Sequence, residues 1–205
     1  INTRMKLFEI TSRVDVKLGI ALVNAIEKFT GNSHDEEAEA IKILEGNYNN
    51  PQLAPFMYSG PLYRVVSFDG EVDPTKQDIL KYQGGRTLYS FAKTEEGVEA
   101  FLDIAAANIE PPLTLVIFKQ QGRGYDTQKI YRYVRQFSKD DLEQAGIPPQ
   151  LFNLQRAGAT FKNSDFVGTV KEVIAPLSPN GFEILQTEHY PEWDDDDWDD
   201  DEDTF

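Results

Sequence analysis

Apolar positions early in the chain recur with helical spacing. Leu18, Ala21, Leu22, Ala25, Ile26 and Phe29 fall at i, i+3, i+4, i+7, i+8 and i+11, which draws one stripe along a helix packed on a core. Gly31 ends it. A second helix is predicted from about Asp35 to Glu45, with Asp35, Glu36 and Glu37 at the positive end of its dipole and Gly46 just beyond its last turn. Residues 47–61 carry Asn49, Asn50, Pro51, Pro55 and Gly60, too many turn formers for regular structure, and read as a surface connection.

The pattern then turns to strands. Residues 62–68 (LYRVVSF) and 87–92 (TLYSFA) are rich in β-branched and aromatic side chains, with a polar loop between them. Thr94, Glu95 and Glu96 open a helix whose stripe is Val98, Phe101, Leu102, Ala105, Ala106 and Ile109, and Pro111 and Pro112 stop it. Residues 113–119 (LTLVIFK) form the most strand-like run, 120–125 a Gly-rich turn, and 130–137 (IYRYVRQF) an alternating strand. Ser138 with Asp141 begins a short helix closed by Gly146, and Asp140 and Asp141 serve as helix-start charges. Residues 169–175 (TVKEVIA) and 182–186 (FEILQ) make two last strands. Two helices followed by a mostly β body predict an α+β fold with antiparallel sheets.

Hydrophobic residues make up 40% of the 205 positions and aromatic ones 12%, enough to bury one core. The formal charge of −15 is concentrated in residues 192–203, which hold ten acids and no base and leave the body near −5. That balance disfavours a general nucleic-acid binder, whose phosphate contacts need a basic face. With no cysteine there is no disulfide, thiolate metal site or thiol nucleophile. His34 and His189 lack metal-ligand spacing, so no metal is expected. No apolar run reaches the roughly 18–20 residues of a spanning helix, so the chain is expected to be soluble and cytoplasmic, without membrane contact. Ile1 to Arg4 ahead of Met5 read as an expression or processing remnant.

Neither GxGxxG nor a P-loop occurs, and Gly122-Arg123-Gly124 leads into a strand rather than a helix. Three strands share an order instead: Leu62-Tyr63-Arg64-Val65, then Tyr89-Ser90-Phe91-Ala92 running into a helix, then Lys171-Glu172-Val173-Ile174 before Ala175-Pro176 and the Asn180-Gly181 turn. This order resembles the Arg, Ser, Glu series of ADP-ribosyltransferases, the toxin-like and phage-encoded mono-ADP-ribosyltransferases among them. The resemblance covers residues 62–186. It implies a core of two packed, mainly antiparallel sheets behind N-terminal helices in one domain over 5–190, while self-repulsion among the acids predicts a disordered tail over 191–205. The resemblance also implies NAD as substrate, a macromolecular acceptor that is a protein, and Glu172, Arg64 and Ser90 as the catalytic set. Arginine-modifying members carry Glu-x-Glu where this chain has Val170-Lys171-Glu172, so an acceptor other than, or not necessarily, arginine is implied. Ser90-Phe91-Ala92 keeps the first hydroxyl of the family's Ser-Thr-Ser strand.

The chemistry agrees with those residue types. Cleavage between nicotinamide and ribose passes through an oxocarbenium-like state that a carboxylate such as Glu172 stabilises. Two phosphates call for cationic donors, for which Arg64 and Arg123 are candidates. Ser90 would orient Arg64 or the ribose, and Tyr89, Phe91, Phe118 or Tyr125 would face the nicotinamide. Taken singly, each has a structural role open to it: Arg64 pairing with a buried carboxylate, Ser90 filling a strand, Glu172 facing solvent. Two other readings stay open. One is an NAD glycohydrolase with water as acceptor; the other is a non-catalytic acidic interaction or inhibitor protein on the same scaffold. In the tail, Trp193 and Trp198 within the acids suggest either a solubilising appendage or a docking segment for a basic partner.

Overall fold

A computed structural model describes residues 15–29, 34–82, 86–99, 102, 112–146, 171–178 and 181–191. The acidic tail, Val170 and most of the expected helix beyond residue 99 lie outside that set. Helices α1 (Val16–Phe29) and α2 (His34–Asn47) come first, and a 3-10 turn (Pro51–Phe56) leads into β1 (Met57–Asp69). There follow α3 (Lys76–Tyr82), β2 (Tyr89–Ala92), β3 (Leu113–Asp126), α4 (Thr127–Val134), α5 (Lys139–Gln144), β4 (Glu172–Ala175) and β5 (Phe182–Tyr190). The fold is α+β, as the order of elements predicts.

Among the described residues every strand pairing is antiparallel, and the strands form one continuous sheet rather than two separate ones. β1 and β3 pair over their whole length, from Met57↔Tyr125 to Asp69↔Leu113. β2 joins β1 at Tyr63↔Ala92 and joins β4 from Tyr89↔Ala175 to Ala92↔Glu172. β4 returns to β3 at Tyr125↔Ile174 and Asp126↔Val173, which closes β1, β2, β4 and β3 into a small barrel, and β5 extends it along the first half of β3.

Side-chain alternation sorts the core by strand parity. Leu62 and Val66 of β1, Val116 and Phe118 of β3, and Tyr89, Phe91, Val173 and Ala175 meet Ile79 of α3 in one cluster. Leu113, Leu115 and Ile117, on the other face of β3, pack with Ala92, Val98 and Leu102. The helices form a third cluster, where Leu22, Ala25, Ile26 and Phe29 of the predicted α1 stripe are buried with Leu44, Tyr125, Ile130 and Ile174. Tyr125 fixes that layer by donating its hydroxyl to the Leu44 carbonyl at 2.6 Å.

Four local expectations are corrected. Residues 120–125 continue β3 instead of turning, because their glycines permit close approach: a Cβ on Gly124 would lie 2.5 Å from the Ile174 carbonyl oxygen and one on Gly122 2.8 Å from Leu62 Cδ1. The expected strand 130–137 is α4 over most of its length; Thr127, Ile130, Tyr131 and Val134 are its buried stripe, and Asp126 caps it by accepting from Lys129 N at 3.2 Å. The polar loop after β1 contains α3, started by Thr75 and Asp78, whose side chains bond each other's backbone N–H groups. The surface connection 47–61 holds the 3-10 turn, capped by Asn50, and β1 begins within it at Met57. The Ser138 and Asp141 capping box forms as read, and Gly146 follows its helix at φ +71.

Candidate functional site

Arg64 stands on β1 opposite Phe118, with the parity of Leu62 and Val66. Its Nη1 donates to the Ser90 carbonyl at 2.7 Å, and the guanidinium carbon lies 5.3 Å from the centre of the Tyr89 ring. Its Nε is buried with no hydrogen-bond partner. Desolvation lowers the Arg64 pKa to about 10; Tyr89 opposes the shift and nearby Arg86 adds to it. The group is still a cation at neutral pH, and the orphaned donor is a cost of burial that nothing within the described residues offsets.

Ser90 and Glu172 meet because of the register between β2 and β4. Ala92 lies opposite Glu172 and Ser90 opposite Ile174, which makes Ser90 the diagonal neighbour of Glu172 on one face. Ser90 Oγ donates to Glu172 Oε1 at 2.5 Å. Burial pushes the Glu172 carboxyl above its ordinary range, and the Ser90 bond pulls in the other direction. Ser90 therefore joins the set, with its carbonyl on Arg64 and its hydroxyl on Glu172.

The backbone of Glu172 is held too. Thr127 Oγ1, at the first residue of α4, donates to the Glu172 carbonyl at 3.1 Å. The exposed Lys171 before it has φ +47, in the left-handed region. Beneath these lies Asp126, 2% exposed, which pairs with Lys93 at 2.7 Å and with Lys129 at 3.8 Å.

A pocket of about 540 Å³ opens beside Tyr89, lined among others by Tyr48, Asn49, Arg86, Pro176 and Leu177. Arg86 is fixed at its rim in two ways. Its carbonyl accepts the Tyr89 hydroxyl at 2.5 Å, and its Nη1 lies 2.9 Å from Glu37 Oε1. Among the aromatic candidates Tyr89 lines this space. Phe91 and Phe118 are buried edge-to-face in the barrel, centroids 6.3 Å apart, and Tyr125 is buried under α2. Arg123 lies opposite Ser59, five residues along β3 from the partner of Arg64, or roughly 17 Å at about 3.4 Å per residue. Its guanidinium sits 5.6 Å from the Tyr48 ring centre, and its carbonyl accepts the Tyr48 hydroxyl. Strand pairing and this contact replace the mobile turn expected for it.

Sequence reasoning missed Tyr48 and Arg86. Neither belongs to a periodic stripe or a motif; an aromatic within a polar connection and a cation between glycines and a strand were their sole marks. Among the described residues no group of three or more His, Asp and Glu is placed to hold a metal ion, and no helix is long and apolar enough to cross a membrane. His189 instead contacts Thr114 through Nδ1 at 3.1 Å and Asp73 through Nε2 at 3.5 Å. Comparison with protein families, curated proteins and solved structures finds no match to this chain.

Proposed function

We propose that the chain is a mono-ADP-ribosyltransferase that moves ADP-ribose from NAD to a macromolecular acceptor other than arginine. One juxtaposition supports the reading: Ser90 connects a half-buried cation with an orphaned donor to a desolvated carboxylate, and that cation lies against Tyr89, which lines a nucleotide-sized pocket. The resemblance of the Arg, Ser, Glu order to ADP-ribosyltransferases supplies the substrate class.

In this reading Arg64 faces the dinucleotide's phosphate and ribose side, and Tyr89 offers a ring face beside it. The bond between ribose C1′ and the nicotinamide nitrogen breaks, and nicotinamide leaves with the bonding pair. Ionised Glu172, oriented by Ser90, stabilises the positive charge developing on the ribose. An acceptor nucleophile then bonds to C1′ and loses its proton. Exposed Lys171, next to Glu172, repels a guanidinium acceptor, in keeping with Val170-Lys171-Glu172 in place of Glu-x-Glu.

The test is incubation of the purified chain with labelled NAD and a cell lysate, beside Glu172→Gln. Label transferred to macromolecules, with turnover about 10²-fold lower in the variant, is the expected result. Free labelled ADP-ribose alone would make the enzyme a glycohydrolase. No consumption of NAD by the wild-type chain would leave an interaction protein built on this scaffold.

A further inference from the structure

Two cations near the pocket are unequally held, Arg86 on its lining and Arg64 behind Tyr89. Arg64, behind Tyr89, has a buried Nε without a partner. Arg86, at the rim, stands close enough to Arg64 to depress its basicity and is half exposed, its side chain 47% accessible. The carboxylate that holds Arg86, Glu37 on α2, is only 12% accessible. Glu37 is thus fixed in the helical layer, while the guanidinium it holds reaches solvent at the pocket mouth. The acid on the pocket wall itself is Glu45, and Arg123 is committed to Tyr48.

From this arrangement we infer that Arg86, and not Arg123, is the second phosphate-binding cation of the pocket, and that Glu37 stores it until a diphosphate-bearing nucleotide takes its place. The inference rests on the proposed NAD reading and adds to it a residue and a means of regulation. Arg86 is suited to the exchange. A guanidinium can engage a phosphate with two parallel N–H donors, and its backbone stays anchored by the Tyr89 hydroxyl while the side chain swings. Tyr89 then couples the two arginines, since one lies over its ring and the other accepts its hydroxyl. Glu37 acts as an internal competitor: any ligand must displace it, so an anion too weak to do so is excluded.

Calorimetric titration with ADP tests this on the full chain, with adenosine as the phosphate-free control. Arg86→Ala is expected to weaken ADP binding about tenfold or more, the loss of a charge-assisted contact, and to leave adenosine binding unchanged. Glu37→Gln is expected to tighten ADP binding, and Arg86→Ala combined with Glu37→Gln to lose that gain. Arg123→Ala is expected to bind ADP as the wild type does. Unaltered ADP affinity in Arg86→Ala overturns the inference. So does equal weakening by Glu37→Gln, which would make the pair a structural strut, or loss of adenosine binding, which would mean the pocket has collapsed. ADP has no nicotinamide bond to break, so the two readings fail separately. ADP binding with the expected pattern but no NAD cleavage sinks the transferase reading alone, and NAD cleavage with ADP binding indifferent to Arg86 sinks this one alone.

Discussion

Ser90→Ala removes the 2.5 Å bond to Glu172 and spares the bond from Arg64 to the Ser90 carbonyl. A hydrogen bond to a charged group contributes about 1.5–3 kcal/mol and a neutral one about 0.5–1.5 kcal/mol, so the cost of the substitution depends on whether Glu172 is ionised. Folding raises the Glu172 pKa, chiefly through burial. A group raised in this way adds stability that is fully present below the unfolded carboxylate range and is lost as pH rises through its folded value. The Ser90 bond limits that loss, and without it the carboxyl rises further. The destabilisation by alanine should therefore grow with pH as Glu172 ionises, from about 1 kcal/mol at pH 4 to about 2 kcal/mol at pH 8. At roughly 2–4 °C per kcal/mol for a chain of this size, the melting temperature falls by roughly 4–8 °C at pH 8 and by about half that at pH 4. Scanning calorimetry of both proteins at the two pH values measures this. A difference independent of pH, or larger at pH 4, would refute the charge-assisted bond and with it the role of Ser90 in poising Glu172. On the proposed transferase reading, the acid limb of NAD turnover should also move to higher pH in the variant.

Two further substitutions probe the frame around the site. Asp126→Asn takes the buried charge from Lys93 and is expected to destabilise the fold by about 3 kcal/mol, read from urea unfolding; a change below about 0.5 kcal/mol would show the pair to be solvated. Gly124→Ala drives a methyl group against the Ile174 carbonyl and Val173, so a loss of about 1–3 kcal/mol is expected, together with weaker amide-exchange protection in β4. Retained protection there would mean that the pairing of the two strands absorbs the methyl group without loss.

Much of the fold follows from local pattern. The α1 stripe, the start of α2, the Ser138 box and the runs that became β1, β2 and the first half of β3 all carry their period on the surface of the sequence. The failures are cases where one pattern has two physical causes. IYRYVRQF satisfies a period of two, but Thr127, Ile130, Tyr131 and Val134 satisfy the helical period once the residues before it are included, and the Asp126 cap decides for the helix. Glycines at 122 and 124 signal either a turn or a close crossing, and only the presence of β4 beside Gly124 separates the two. Arg64, Ser90 and Glu172 could be nominated singly. Their contact depends on the pairing of β2 with β4, which no local period encodes. Arg86 and Tyr48 become visible only when α2 is laid against the start of β2.

The barrel closure described above also sets an order in time. β1 must wait for β3 across the whole connection from Gly70 to Pro112, and even then one seam stays open, because the strand that joins β2 to the end of β3 has yet to be synthesised. That strand is β4, and its first residue is Glu172. As the chain leaves the ribosome, Arg64 and Ser90 are in hand long before the carboxylate arrives, so a nascent or truncated chain can hold the cationic half of the candidate site and still lack its carboxylate. Long-range pairing of this kind is slow to form. Delay is thereby built into the topology: the last seam to close is the one that completes the site.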